Sequence, residues 1–535
     1  MKIPHSTHRV RRSGRLVQYA FVVVLFSAAA VAFCAATGVD TTQQAPFPEI
    51  FVVNSTGDGD DAFPGDGQCE TAVGNGVCTL RAAIEEANAH VGGDGISFSI
   101  PTSQPYCDAA TVACTIYPTK ALPDVSDSVN INGPGTAKLN VVNITGVKFR
   151  VFNVTSSGTV SFSNLTIGNV NPFGDSSLGG GIQNASTGTV NISNCTITDN
   201  TATGNTVSDN GGGIRNGAGT VNVTNSTISG NTASGAVFGG LGGGIYNDSG
   251  TVNVSNSTIA FNQAVIPSGS GGITLGGGIC NNKGTIVVTN STLKRNGADH
   301  GGGIFNSTNS NGPSNGVVNV TGSTFVANCA SYDGGGISSF GGTVNIANST
   351  FYANVTYRND SDGVFGVGGA VEVAGGTLNL SNSTVTANFA AAAGGGVFSN
   401  GTVNVKSTII ASNLGGISSS TESPDVSGAF TSHGFNLIGK KDGSSGFTAA
   451  TDKKGTIASP LNPKLDVKGL RDNGGPTETV ALQSGSPAID KGTSNGLTGT
   501  LTTDQRGFTR TVDRPIANAN GGDGTDIGAF EFGAQ

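Results

Sequence analysis

The side chains of this 535-residue chain that could do chemistry are few and thinly spread. Across residues 190–410 the acids are Asp199, Asp209, Asp248, Asp299, Asp333, Asp360, Asp362 and Glu372. Asp209, Asp299 and Asp333 each stand one or two residues ahead of a glycine triplet, and His300 follows Asp299. Cleaving a glycosidic bond takes two carboxylates roughly 5 to 9 Å apart, or carboxylate-bound calcium with a basic partner. Asp299, His300 and Asp333 are therefore the candidate catalytic residues, although Asp209 and Asp299 lie three repeats apart. Asp58, Asp60, Asp61 and Asp66 crowd a glycine-rich loop, and hard oxygen donors at that density suit calcium, the one cofactor the sequence suggests. Their spacing departs from an EF-hand loop, because Ala62 stands where a ligand belongs. Asn518, Asn520, Asp523 and Asp526 form a second, sparser set. Of eight cysteines, Cys69 with Cys78 and Cys107 with Cys114 are close enough in sequence to pair in an oxidising compartment. Cys195, Cys280 and Cys329 fall at different offsets in their repeats and read as free thiols.

The scaffold that must position these residues is a repeat. Its clearest copy, GGGIYNDSGTVNVSNSTIAFN, runs from Gly242 to Asn262. The GTVNV element recurs nine times between 158 and 405, with turn corners at Asn164, Asn194, Asn225, Asn256, Asn290, Gly322, Asn348, Asn382 and Lys406, 24 to 34 residues apart. Such a period signals a solenoid. Within GTVNV, Val221 and Val223 point one way and Asn222 the other, the pattern of a half-buried strand. Each unit offers three short strands, around Ile214, Val221–Val223 and Ile228, and cannot bury its aliphatic face alone. Stacked in register, such units predict an all-β, right-handed parallel β-helix. Glycine, 85 of 535 residues against a usual share of about 7%, fits a stack of tight turns.

Two asparagine columns accompany the strands. The corner set is Asn194, Asn225, Asn256, Asn290, Asn348 and Asn382; the second, six residues later, is Asn200, Asn231, Asn262, Asn296, Asn328, Asn354 and Asn388. Asparagine suits corners, and identical amides one coil apart can bond up a stack, so both columns are predicted to be structural ladders.

Several segments resemble known families. The GGGI and aliphatic-x-x-Asn pairing over 179–413 is similar to the repeats of polymorphic outer-membrane proteins, with Phe325–Asn328 (FVAN) and Phe351–Asn354 (FYAN) closest to that pattern. Such resemblance implies a pectin-lyase-like solenoid. Asp299-His300-Gly301 resembles one pectinase motif, without its partner motifs. Residues 50–95 resemble a CSLREA domain through Cys78-Thr79-Leu80-Arg81-Ala82-Ala83, departing from it at Thr79 and Ala82. Thr79 to His90 is the one convincing helix, with Leu80, Ala83, Ile84 and Ala87 on one face, and it is expected to cap the first coil, whose open strand edge would otherwise aggregate. Residues 414–535 resemble a choice-of-anchor Q domain through DNGGPTETVAL (472–482), GSPAIDKG (485–492), Asp504-Gln505-Arg506-Gly507 and DIGAFEF (526–532).

Residues 1–36 read as an export signal: Lys2, Arg9, Arg11, Arg12 and Arg15, then an apolar run ending in small residues. Cleavage fits after Ala32 or Ala36; uncleaved, the run is long enough to be the chain's membrane attachment. Removing it takes the formal charge from −8 to −13, which argues against nucleic acid and anionic membranes as partners. The organisation expected is thus signal (1–36), cap segment (50–95), β-helix repeats (96–413) and C-terminal region (414–535). The function expected is that of a secreted or cell-surface, outer-membrane-associated protein, adhesive or structural and non-catalytic. Its expected partners are polysaccharide or host and cell-surface components; the alternative is a polysaccharide lyase or hydrolase.

Overall fold

Alternation of aliphatic and small polar residues along five-residue segments produces the strands that the computed structural model contains. It describes residues 48–534 apart from 91, 144–148, 170–179, 205–209, 236–238, 268–271, 308–315, 358–365 and 417–423. The export signal, Asp209, Asp360 and Asp362 lie outside the described residues.

The chain is a right-handed parallel β-helix. Strands such as Thr220–Thr224 pair in parallel with Thr189–Ser193 before and Thr251–Ser255 after, residue for residue. The coils contribute strand segments to three sheets, of 22, 14 and 8 strands, and a central coil contributes four. The triplet strand (Ile245–Asn247) and the GTVNV strand (Thr251–Ser255) share the broad sheet; Thr258–Ala260 lies in the second. In two coils the first two segments run on as one 11-residue strand, Ile337–Ala347 and Val371–Ser381. The fourth segment, Thr232–Gly235 and its equivalents, forms the third sheet and is absent from the three-strand reading. Its signal was the small inward residue two places past each ladder asparagine: Ala202, Ala233, Ala264, Ala330 and Ala390 are all buried.

The core consists of columns, one residue per coil. Val221 and Val223 are fully buried while Thr220, Asn222 and Thr224 are half-buried. Phe325 and Phe351 occupy the Ile228 column and stack with centroids 4.6 Å apart. The glycine triplet is explained one residue at a time. Gly242 has φ +68°, where a side chain would be strained. A Cβ on Gly243 would meet the backbone of Gln263 at 2.5 Å, and one on Gly244 the carbonyl of Gly278 at 2.6 Å.

The two asparagine columns differ in kind. The second column is a continuous buried ladder: Nδ2 of Asn200, Asn231, Asn262, Asn296, Asn328, Asn354 and Asn388 each donates to Oδ1 of the next at 2.9–3.0 Å, ending on Asn413. Asn413 donates to Asp425 Oδ1 at 3.0 Å, and Lys440 N donates to the other carboxylate oxygen, so the terminal position requires two acceptors. The corner residues correct the expectation. Asn194, Asn225, Asn256, Asn290, Asn348 and Asn382 have φ between +45° and +53°, and backbone N–H groups such as that of Asn225 bond the next coil. No hydrogen bond joins one of these corner side chains to another among the described residues. Left-handed backbone, not a side-chain ladder, selects asparagine there. The last corner is Ser407 (φ +50°), one residue beyond Lys406. An unforeseen ladder runs through Asn184, Asn216, Asn247, Asn281 and Asn306 at 2.9–3.1 Å.

At the N-terminal end, strand Ile50–Val53 already pairs with Asp94–Phe98, so the 50–95 segment supplies a rung as well as a cap. Helix Leu80–Ala89 starts at Thr79, whose side chain accepts from Ala82 N, and buries Leu80, Ala83, Ile84 and Ala87 in the main core. Coiling continues past Asn413: Leu437–Ile438 and Lys453–Lys454 still pair in the second sheet. Residues 461–534 then fold back over that sheet's outer face. Gln505 Nε2 donates to Thr324 Oγ1 at 2.9 Å, Asn382 Nδ2 to the Thr493 carbonyl at 2.8 Å, and Ala529 N to Thr384 Oγ1 at 3.0 Å. Thr324, Thr350 and Thr384 are consequently buried, whereas Thr227 and Thr258 of uncovered coils are half-exposed.

The two columns predict opposite tolerances. Asn231→Leu removes a buried amide that four neighbouring groups use and should cost about 2–4 kcal/mol, whereas Asn225→Gly should change stability by less than about 1 kcal/mol. Thermal or denaturant unfolding checks this; equal losses for the two would refute the assignment.

Candidate functional site

In the strand after each triplet, Ile-x-Asn as far as Asn306 and then Ile337-Ser338-Ser339 and Val371-Glu372-Val373, the first and third residues are buried inward, so the middle residue points outward. Stacked in register, these residues form one column: Gln183, Arg215, Tyr246, Cys280, Phe305, Ser338, Glu372 and Phe398. Outward residues are usually wet, yet Tyr246, Cys280, Phe305, Ser338 and Glu372 are buried. The segment leading into each triplet folds over them. Leu241, Leu275 and His300 form successive parallel bridges, and the two leucines pack on Tyr246, Cys280 and Phe305.

Toward its C-terminal end this covered column becomes polar. His300 Nδ1 lies 2.9 Å from Asp333 Oδ2, and Ser338 Oγ donates to Glu372 Oε2 at 2.9 Å. Burial, reinforced by the charge of Asp333, raises the Glu372 pKa to about 8. A carboxylic acid that holds its proton at neutral pH and feels the charge of a histidine-paired carboxylate has the chemistry of an acid–base set. Aromatic rings roof it: Tyr332 stacks on His300 at 5.2 Å, Phe340 meets it edge-on at 5.3 Å, and only 13% of the imidazole side chain is exposed.

Asp299 does not join this set. Alternation along Gly297–His300 sends it to the other face, where its carboxylate accepts from Thr274 N at 3.0 Å and its own N–H donates to Thr274 Oγ1 at 2.7 Å. There it lines an open groove of about 380 Å³ with Gln263, Cys329, Ser331 and Tyr357, and it is the one carboxylate among the described lining residues. The structure therefore brings His300 and Asp333 together and separates Asp299 from them. Glu372, which reading acids by offset left apart because its offset from the triplet differs, feels the charge of Asp333 from within the covered column.

The calcium candidates are committed to other partners. Asp58 makes a two-pronged pair with Arg81, at 2.9 and 3.0 Å, and also accepts from Thr119. Asp60 pairs with Lys120 at 2.7 Å; Asp61 accepts from Phe63 N and Glu70 N, and Asp66 from Gln68 N. This donor set does not fit a calcium site, and among the described residues no His, Cys, Asp or Glu group is arranged to hold a metal. Glu86, fully buried, instead clamps the turn through Gly65 N and Gly67 N, and Glu85 takes Asp61 N. The second set is similarly occupied: Asp523 accepts from Ser494 N, Asp526 from Asp490 N and Phe532 N. Cys69 is bonded to Cys78 and Cys107 to Cys114; Cys195 and Cys280 are free and buried, and Cys329 is free and half-buried.

No protein-family model, curated protein or solved structure matches this chain. Its class is thus defined by its own fold, a parallel β-solenoid with repeated coils.

Two predictions follow from these contacts. Because the folded-state pKa of Glu372 lies above its ordinary 4.5, its contribution is fully present below about 4.5 and is lost as pH rises toward about 8. Glu372→Gln should flatten this part of the melting-temperature profile and raise stability above pH 8 by on the order of 1 kcal/mol or more; an unchanged profile would refute the burial argument. Arg81→Gln strands a buried Asp58 carboxylate and should cost about 3–5 kcal/mol, while a calcium chelator should leave the melting temperature unchanged. A fall on chelation would restore calcium to this loop.

Proposed function

We propose that this protein is an exported rod, secreted or displayed at the cell surface, that acts by adhesion or as a structural layer and not by catalysis. The observation that carries the reading is the outer face of the GTVNV strands. Asn253 donates to Asn222 and Asn222 to Asn191, each at 2.8 Å, and a second run links Asn404, Asn379, Asn345 and Asn319. Such a face is flat and largely polar, with the asparagine repeated coil after coil on either side of Val287. Weak contacts repeated at that spacing suit a repetitive partner, for which avidity replaces single-site affinity. The resemblances to polymorphic outer-membrane proteins, CSLREA domains and choice-of-anchor Q domains support export and surface display, and the leader supports it independently. Its partners on this reading are polysaccharides or host and cell-surface components.

A second reading, a polysaccharide lyase or hydrolase, draws support from the acid–base set at His300, Asp333 and Glu372. One experiment separates the two: the purified protein is tested on a polysaccharide panel for binding and for released sugar. Binding without release is expected. Release abolished by Asp333→Asn, or by Asp299→Asn in the neighbouring groove, would overturn the adhesive reading in favour of the enzyme.

A further inference from the structure

The same covered column is basic at its N-terminal end. Arg215 is flanked in register by Gln183 and Tyr246, and Gln183 pairs in turn with Asn153. Arg150 donates from Nη1 to Asn153 Oδ1 at 3.0 Å, which brings a second guanidinium to these rungs. Burial, and then the charge of Arg215, lower the Arg150 pKa to about 10. Asp124 opposes this only in part, and its Oδ1 already accepts from Asn153 Nδ2 at 2.8 Å. Two polar atoms here are buried without a partner: Arg215 Nε, a donor, and Gln183 Oε1, an acceptor on a side chain 8% exposed.

Neighbouring, partly buried like charges with unused donors weaken a fold unless an anion joins them. Among the described residues the adjacent rungs offer Asn153, Gln183 and Tyr246, and the one carboxylate beside them, Asp124, is already taken up by Asn153. We propose that Arg150 and Arg215 bind the carboxylate or sulfate group of an anionic polysaccharide, with Gln183 Oε1 accepting from a sugar hydroxyl. Forked guanidinium donors match the oxygens of such groups. A chain of net charge −8 offers polyanions little general attraction, so capture must be local. This inference rests on the adhesive reading and gives it a substrate class.

The test uses the full chain with polygalacturonate, dextran sulfate and neutral dextran as probes. The protein should bind one or both charged polymers and show no comparable affinity for neutral dextran, and the preferred polymer tells carboxylate from sulfate. Arg150→Gln with Arg215→Gln should weaken that binding by at least about tenfold, with the melting temperature kept or raised as repulsion is relieved. Should the double variant fail to fold, Arg215→Lys keeps the charge, loses the fork, and should still weaken binding. Equal binding by protein and variants overturns the site but spares the adhesive reading. Failure of the unaltered protein to bind either charged polymer also overturns the site, and failure on every glycan of the wider panel overturns both. Lower melting temperatures with unchanged affinity would make the arginines structural and overturn the proposal.

Discussion

A buried primary amide must find partners for two N–H donors and a carbonyl oxygen, and that requirement fixes the geometry of the solenoid. In the inner ladder Asn262 Nδ2 donates forward to Asn296 Oδ1 and back to the Ile228 carbonyl, while Asn296 Oδ1 also takes Asn262 N. One side chain therefore touches three coils, and removing it would leave several groups dry and unpaired. The ladder also explains how coils of unequal length stay in register. Successive rungs are separated by 31, 31, 34, 32, 26, 34 and 25 residues, yet every amide bond has the same length within 0.1 Å. The length differences are absorbed outside the strands, largely in the segments leading into the glycine triplets. The ladder has a direction too: it begins with an unused acceptor, Asn200 Oδ1, and ends on a carboxylate, Asp425, which only accepts.

The C-terminal fold-back obeys a similar constraint from outside. Each hydroxyl it covers on the second sheet loses water and needs a replacement, so Thr324 donates to the Glu478 carbonyl and Thr350 to Gln505 Oε1, both at 2.6 Å. The Asp504-Gln505-Arg506 stretch is the device that achieves this. Gln505 reads the threonines, and Arg506 is held by Asp504 at 2.6 Å and lies 3.7 Å over the Phe530 ring. Arg510 is wholly buried and donates to the Gly528 carbonyl at 3.0 Å. Dry ion pairs add little net stability but penalise misplacement heavily, so this cluster suits a segment that must dock in one register.

What could be read from the sequence followed period and residue type. Aliphatic alternation gave Val221 and Val223 their inward phase, and the six-residue offset located the ladder. Cysteine proximity paired Cys69 with Cys78 and Cys107 with Cys114. What could not be read depended on the third dimension. The third sheet hid behind alanines, which carry weak strand propensity. The corner asparagines matched a ladder in spacing, and only their backbone angles separate the two roles. The aspartates of the 58–66 loop looked like calcium ligands because their partners, Arg81, Thr119 and Lys120, are distant in sequence. Asp299 and His300 are neighbours whose side chains part because a strand alternates, while His300 and Asp333 meet because coils stack.

The repeats themselves show where function can reside. Positions that hold the fold barely vary from coil to coil: isoleucine or valine inward, asparagine in the ladder, glycine before the strand. The outward residue of the strand after each triplet changes at every coil, from glutamine through arginine, tyrosine, cysteine, phenylalanine and serine to glutamate. A position under no packing demand would drift toward small polar residues, as the exposed GTVNV face has done. This column instead holds large and titratable side chains, kept from water by the segments that fold over it. Side chains of that kind cost stability when buried outside the core, and Glu372 is held there by its neighbour Ser338. The solenoid thus divides its labour by column, with near-identical residues where coils must stack and different residues along the covered outward column.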